Sequence, residues 1–394
     1  MKNKYMNWKN VYLWFWTFCL SFISQQMAWG QHIDAAAEYK PIDPFIKPYF
    51  TPPDSLKDQF GPYNSLLVFQ DGSQVKTVQD WNRKREEIKT KWHSIMGEWP
   101  VLLKDQDLTI IASEQKDGYV QHHVRFKWLP SEETDGYLLI PDGAGKRPAV
   151  VTVYYNPEMP AGVIVKANRP YRDYALQLTK RGFVTLSIGT REASAAKRFS
   201  LYYPSLYNAQ VQPLSMLAYA AANAWHVLAR RPEVDKERIG IIGHSFGGKW
   251  AMFASCLFEK FACAVWSDPG IVFDETKGSN VNYWEPWYLG YYPPPWDNVW
   301  RKTGMIQEAK GIYPKLVREG WDLHELHALM APRPFLVSGG SSDQIERWAP
   351  LNHTIQVNEL LGYKNRVAMH NRPLHPPNEN ANEVAYRFLE YFLK

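Results

Sequence analysis

Apolar positions along this chain recur with two different periods. Behind Thr77-x-x-Asp80, which resembles a capping box, Val78, Trp81, Ile88, Trp92 and Ile95 fall at helical spacing. That helix is expected to end near Gly97, with Pro100 beyond it. From Tyr119 the period shortens to that of strands. Residues 120–128 and 136–140 alternate like a hairpin, with residues 131–135 as its turn, and residues 148–155 form an unbroken β-rich run. Residues 171–180 then predict a helix, 183–188 a buried strand and 214–228 an Ala-rich helix. Further strands are expected over residues 261–266, 335–337 and 366–370, and a closing helix over 380–393. Strand alternating with helix predicts an α/β class with a doubly wound, mostly parallel sheet. In such sheets the site lies at the carboxyl ends of the strands.

The most informative stretch interrupts this alternation. Gly243-His244-Ser245-Phe246-Gly247 joins the apolar run 238–242 to the helix-like run 248–255. A G-x-S-x-G pattern between a buried strand and a helix is what a nucleophile elbow requires. The turn is tight enough that glycine is needed on both sides, and it lifts the Ser hydroxyl above the sheet. The bland reading is a Gly-rich turn of an ordinary α/β protein. Attack by Ser245 needs a base and an acid to orient that base, in the chain order Ser, acid, His. His375 is the expected base, in the loop that follows Asn371-Arg372-Pro373-Leu374; His370, at the end of the last strand, is its rival. Asp343 is the expected acid, carried by the loop Ser338-Gly339-Gly340-Ser341-Ser342 as if aimed by it. Asp268, ending the strand before Pro269-Gly270, is the rival acid. The oxyanion donors are expected to be the backbone N–H of Phe246 and that of Tyr155 or Asn156.

Length and composition set the frame around this site. The 394 residues suit one catalytic domain at 119–394, preceded by an arm and helix at 31–118. Residues 1–30 read as a signal peptide cleaved near Gly30. Lys2, Lys4 and Lys9 form a basic start, a 13-residue apolar run spans 11–23, and Ala28-Trp29-Gly30 supplies small residues. Cys19 follows Trp16-Thr17-Phe18, which lacks the small residues of a lipoprotein signal. The expectation is a periplasmic or secreted bacterial protein with no membrane partner after cleavage. The net charge of +5 includes those three lysines, and residues 1–30 hold no acid, so 5 − 3 leaves +2, too near neutral to argue for nucleic acid. Cys256 and Cys263 lie in apolar runs and read as buried thiols.

Aromatic content is the outlier, at 17 Trp, 23 Tyr and 18 Phe. A dense group of these lies in an insertion at about 270–322, whose core runs from Tyr283 through Trp284, Trp287 and Trp296 with prolines between. There Trp284, Trp287 or Trp296 is expected to wall a sugar site; the alternative is a hydrophobic plug at the sheet edge. Lys249, one turn into the elbow helix, is a candidate for sugar hydroxyls or a uronate, or else a solvated surface residue.

These residues resemble exported α/β-hydrolases of the dienelactone hydrolase and acetyl-xylan esterase type, nearest the carbohydrate esterase family that contains a pectin methylesterase. The resemblance runs from about Trp81 to the C-terminus and rests on 243–249, Ser267-Asp268-Pro269-Gly270, 339–343 and Pro373-Leu374-His375. It implies an α/β-hydrolase fold and removal of ester groups from plant cell-wall polysaccharide, with no metal or organic cofactor. The elbow is also similar to that of the glucuronoyl esterases, G-C-S-R-x-G-K, with Lys249 at their sugar-contacting Lys. Phe246 stands where they carry an oxyanion Arg. The implied activity is demethylation of uronic acid methyl esters. The alternatives are a carbohydrate deacetylase, a prolyl oligopeptidase-like peptidase, for whose propeller residues 31–118 are too short, and an inactive carbohydrate-binding homologue.

Overall fold

The computed structural model describes residues 40–190, 200–277, 279–296 and 309–394. The expected signal peptide at 1–30 lies outside the described residues. Within the unit Ile42–Lys394, a nine-stranded sheet is built from β1 (Thr109–Lys116), β2 (Tyr119–Leu129), β3 (Glu132–Pro141), β4 (Arg147–Tyr154), β5 (Val184–Gly189), β8 (Val234–His244), β9 (Cys263–Ser267), β10 (Phe335–Gly339) and β11 (Val367–Asn371). A short separate hairpin pairs β6 (Tyr203–Ser205) with β7 (Asn208–Val211). The order across the sheet is β1-β2-β3-β5-β4-β8-β9-β10-β11. The first three pairings are antiparallel and the remaining five parallel.

The helices are α1 (Val78–Met96), α2 (Tyr174–Lys180), α3 (Pro213–Ala229), α4 (Phe246–Leu257), α5 (Ser279–Asn282), α6 (Tyr313–Arg318), α7 (His324–Ala328), α8 (Trp348–Leu360) and α9 (Glu379–Leu393). Side-chain alternation in β4 explains the layering. Val151 and Val153 enter the core that holds α3 and α4, whereas Val150 enters the opposite core with Tyr174, Leu178 and the apolar face of α9. A strand covered on both faces favours apolar and β-branched residues, hence the nearly continuous run in the sequence, which Thr152 alone interrupts within 149–154. α3 is buried from Pro213 to Leu228, and its alanines let it lie close against α4. Its one amide, Asn223, is satisfied by donating to the Trp128 carbonyl at 3.0 Å and accepting from the Leu103 N–H at 2.9 Å.

The α1 capping box is formed: Thr77 Oγ1 accepts from the Asp80 N–H, and Asp80 Oδ2 from the Thr77 N–H, each at 3.1 Å. Gly97 ends the helix with φ +89°, and a Cβ there would lie 2.2 Å from the Gln210 carbonyl oxygen. Elsewhere the elements depart from expectation. The β2–β3 connection is Pro130-Ser131 alone, and residues 132–135, expected as turn, continue the ladder through Asp135↔Arg125. β1 was not expected. It is an edge strand exposed along nearly its whole length, so no inside–outside alternation marks it. α8 was not expected either, because its buried side includes polar residues. Asn352 donates to the carbonyls of Leu56 and Gln59 at 2.8 and 2.7 Å, and His353 Nε2 meets the Phe60 carbonyl at 3.0 Å. Those contacts tie residues 56–60 to the body of the unit.

Candidate active site

Ser245 sits between the last residue of β8 and the first of α4, with φ +58° and ψ −118°. That backbone is strained for a residue with a Cβ, and its neighbours show what holds it. A Cβ on Gly243 would lie 2.1 Å from the Gly247 carbonyl oxygen, and one on Gly247 would lie 2.1 Å from the Val153 carbonyl oxygen. Only glycine lets the turn close so tightly. The Ser245 N–H donates to the Ser267 carbonyl of β9 at 2.8 Å, and the Ser245 carbonyl accepts from Lys249 at 3.0 Å, the first bond of α4.

His375 lies in the loop after β11. Its Nε2 is 2.8 Å from Ser245 Oγ, and its Nδ1 is 2.5 Å from Asp268 Oδ2. Arg372 holds this loop. Its buried guanidinium donates to the carbonyls of Ser338, Pro376 and His375 at 2.7, 2.8 and 2.7 Å, bridging β10 to the residue that carries the imidazole. His244 packs 4.8 Å from the His375 ring and meets Ser267 Oγ at 3.1 Å through Nδ1. Burial, then the charges of His375, Arg372 and Arg172, push its pKa well down, so it stays neutral beside the His375 imidazole.

The acid beside His375 is Asp268, and this corrects the expectation that placed Asp343 there. Asp268 directly follows β9, with φ +50°. Its Oδ1 accepts from the N–H groups of Gly340, Asp343 and Ser342 at 2.6, 2.9 and 3.2 Å. Burial works against its charge, but His375, Arg372 and the Gly340 N–H outweigh that and hold its pKa below the ordinary carboxyl value. Asp343 is fully buried and turns the other way, accepting from the Gly270 and Ile271 N–H groups at 2.7 and 2.6 Å. Burial and then the Asp268 charge push it up to about 6. The two acid loops therefore interlock, each carboxylate seated on the other's backbone. The glycines at 339 and 340 serve this close approach. A Cβ on Gly340 would lie 2.8 Å from Asp268 Oδ2 and 2.5 Å from the Leu374 carbonyl oxygen.

The other expected residues are placed as follows. His370 is in β11, buried, edge-on to Tyr49 at 5.2 Å and 3.1 Å from Asn380 Nδ2; burial, then Arg372, lowers its pKa to about 4. It is a packing histidine. Lys249 is neither solvated nor at the surface. It is buried, donates to the Pro269 carbonyl behind Asp268, and lies 3.9 Å from the Tyr283 ring centroid. Burial lowers its pKa to about 7 against the opposing pull of Asp343, Glu285 and Asp268. Trp284 and Trp287 are buried in the main core, which corrects the sugar wall to a plug at those two positions. Trp296 is half-buried, donates to the Tyr292 carbonyl at 2.8 Å and lies 5.6 Å from the Tyr202 ring. Trp300, at the end of that run, lies outside the described residues.

Phe246 opens α4, and its ring stacks on Tyr155 at 5.0 Å. The Asn156 backbone lies against Gly189, where a Cβ would be 2.8 Å from its nitrogen. The Tyr155 hydroxyl stands beside Ser245, and burial pushes its pKa up to about 12, so it keeps its proton. The sequence reading named Tyr155 for its backbone and missed this side chain, as it missed Arg372. An aromatic just past β4 and an Arg in the His loop were the available signals. Among the described residues, no group of three or more His, Cys, Asp or Glu is arranged to hold a metal ion. No described helix is long and apolar enough to cross a membrane.

A mostly parallel sheet with a serine on the β8–α4 turn is the fold of the α/β-hydrolases. Residues 217–285, from α3 through the elbow into the aromatic insertion, match the family model for the BAAT / acyl-CoA thioester hydrolase C terminal region. No curated relative matches the chain. Among solved structures, a glucuronoyl esterase from Solibacter usitatus is similar at a TM-score of 0.65 and 19% identity, over 84% of this chain and 98% of that one. A protein proposed to be an acetyl xylan esterase, from Bacteroides fragilis, is similar at a TM-score of 0.54 and 16% identity, over 83% of this chain and 86% of that one. A methylesterase is similar at 0.52 and 15%, over 81% and 67%. At these identities the likeness is one of fold.

Proposed function

We propose that this chain is a serine carboxylic-ester hydrolase acting on an esterified polysaccharide, with demethylation of uronic acid methyl esters as its reaction. The observation that carries the reading is the line from Ser245 Oγ through His375 to Asp268, at 2.8 and 2.5 Å. In the proposed mechanism, Ser245 Oγ attacks the ester carbonyl while His375 Nε2 takes its proton. The tetrahedral oxyanion is received by the Phe246 N–H at the start of α4, with the backbone N–H of Tyr155 or Asn156 as second donor and the Tyr155 hydroxyl beside it. His375 returns the proton to the departing alcohol oxygen, leaving an acyl-enzyme. A water then repeats the sequence, giving up a proton to His375, and the carboxylate product leaves as Ser245 is re-protonated. Asp268 stays ionised throughout, opposite the imidazolium, its charge spread over three backbone N–H groups.

The methyl-ester reading draws support from the resemblance of the elbow and the Asp268 and His375 segments, and from a methylesterase among the fold's relatives. Deacetylation is the second reading, with a proposed acetyl xylan esterase of the same fold behind it. The two differ in which side of the ester the sugar occupies. Release of methanol from methylated polygalacturonate is expected, in excess over acetate from acetylated xylan; the reverse ratio selects the deacetylase, and no release of either removes both. For Tyr155→Phe, loss of the donor beside Ser245 is expected to lower kcat by about 10²-fold with KM little changed. An unchanged kcat would remove the phenol from the mechanism.

A further inference from the structure

Arg172 is a buried cation whose charge is not matched locally. It is 8% exposed; its Nη1 donates to the Pro170 carbonyl at 3.1 Å, and its buried Nε has no hydrogen-bond partner among the described residues. Arg169, three residues earlier on an exposed stretch, turns to the same place: both guanidinium groups act on the buried Tyr154 hydroxyl. Among the described residues, neither Arg is within ion-pair distance of a carboxylate. Two like charges drawn to one phenol, one of them largely out of water, are costly unless an anion joins them. The fold brings them there deliberately. Tyr171 takes φ +63°, and its carbonyl accepts from Asn382 of α9 at 2.9 Å, which fixes the chain just before Arg172.

The position of this cluster gives it meaning. Tyr154 ends β4, and its ring meets Tyr155 edge-on at 5.0 Å; Tyr155 in turn stands beside Ser245. The charge of Arg172 is felt by His244, which packs on His375. Arg372, the third guanidinium of this region, is consumed by carbonyls of β10 and of the His loop. We infer that Arg172 and Arg169, with the Tyr154 hydroxyl, form an anion subsite next to the nucleophile, and that it takes the free carboxylate of a uronate neighbouring the ester to be cleaved. A guanidinium pair suits a carboxylate because its parallel N–H groups match the two oxygens. The inference rests on the polysaccharide-ester reading and specifies the glycan as an acidic, partly de-esterified one.

The test is a binding measurement on the full chain, so it does not depend on turnover. The parent protein is titrated calorimetrically with a galacturonate trimer that carries no ester, and with neutral xylotriose. The acidic trimer is expected to bind at least about tenfold more tightly, with an affinity that falls as salt rises. Arg172→Gln and Arg169→Gln together are expected to abolish that preference. Arg169 is exposed, so Arg169→Gln alone, expected to weaken the acidic trimer several-fold, serves if the buried Arg172 proves necessary for folding. Equal affinity for the two trimers, or an acidic preference untouched in a folded Arg169→Gln, Arg172→Gln protein, overturns the subsite. Methanol release together with equal affinities would sink the subsite and leave the ester hydrolase standing. A uronate preference without release of methanol or acetate would do the opposite.

Discussion

Ser245→Ala is expected to lower kcat on methylated polygalacturonate by about 10⁶-fold, or about 8 kcal/mol of barrier, while the melting temperature and glycan binding stay close to the parent's. The size follows from the reaction proposed: without Oγ there is no acyl-enzyme, and His375 has no proton to move. The expected stability follows from the elbow. The strain at φ +58° is imposed by the Gly243–Gly247 contact and by the Ser245 N–H bond to Ser267, all of them backbone, and alanine keeps the same Cβ. The hydroxyl gives up its contact with His375, which is half-exposed and can turn to water. A folded variant with parental turnover would take Ser245 out of the mechanism and the hydrolase proposal with it. By contrast, Gly247→Ala would place a Cβ against Val153 and is a fold-breaking substitution, unsuited to the same question.

Much of this arrangement is written in local sequence, and the parts that are not share a cause. The elbow was legible because its two glycines, an apolar strand before and a helix after are contiguous, and a close approach leaves a glycine signature. The parallel strands were legible because burial on both faces keeps charged residues out of their interiors and leaves runs dominated by apolar and β-branched residues, as in β4 and β5. The choice between Asp268 and Asp343 was not, because both follow neighbouring strands and both precede His375 in the chain. What separates them is tertiary. β9 pairs with β8, so Asp268 leaves the sheet beside Ser245, with His244↔Ser267 in register. Asp343 emerges one strand further away and folds back onto residues 270–271. The loop 339–343, rich in Gly and Ser, was expected to aim Asp343. Its small residues instead let three N–H groups converge on the Asp268 carboxylate. Likewise the proline-rich tryptophans read as a binding surface, since an aromatic buried in a core and one awaiting a sugar look alike in sequence. Burial decided Trp284 and Trp287.

The same interlocked loops give the two acids opposite expected behaviours on substitution. Asp268→Asn keeps an oxygen to accept from Gly340 and Asp343 but cannot oppose the imidazolium, and it favours the wrong His375 tautomer. Its kcat is expected to fall by about 10⁴-fold. Asp343→Asn leaves His375 and Asp268 in contact and disturbs only the seat of residues 270–271, where an amide N–H would face a backbone N–H. A fall of about 10- to 10²-fold is expected, from displacement and not from lost charge. The pH dependence of stability separates them again. Asp268 has a lowered folded pKa, so its contribution is present above the ordinary value of 3.8 and is lost as pH falls through the lower one. Asp343 has a raised one, so the folded chain holds its proton more tightly than the unfolded chain does. Its contribution is complete below 3.8 and is lost as pH rises through about 6. In melting scans, Asp343→Asn should therefore compare worst with the parent at pH 4 and recover towards pH 8, whereas Asp268→Asn should compare worst at pH 8. Equal losses of kcat in the two variants, with parallel melting profiles, would mean that the charge facing His375 is shared between both carboxylates and not held by Asp268.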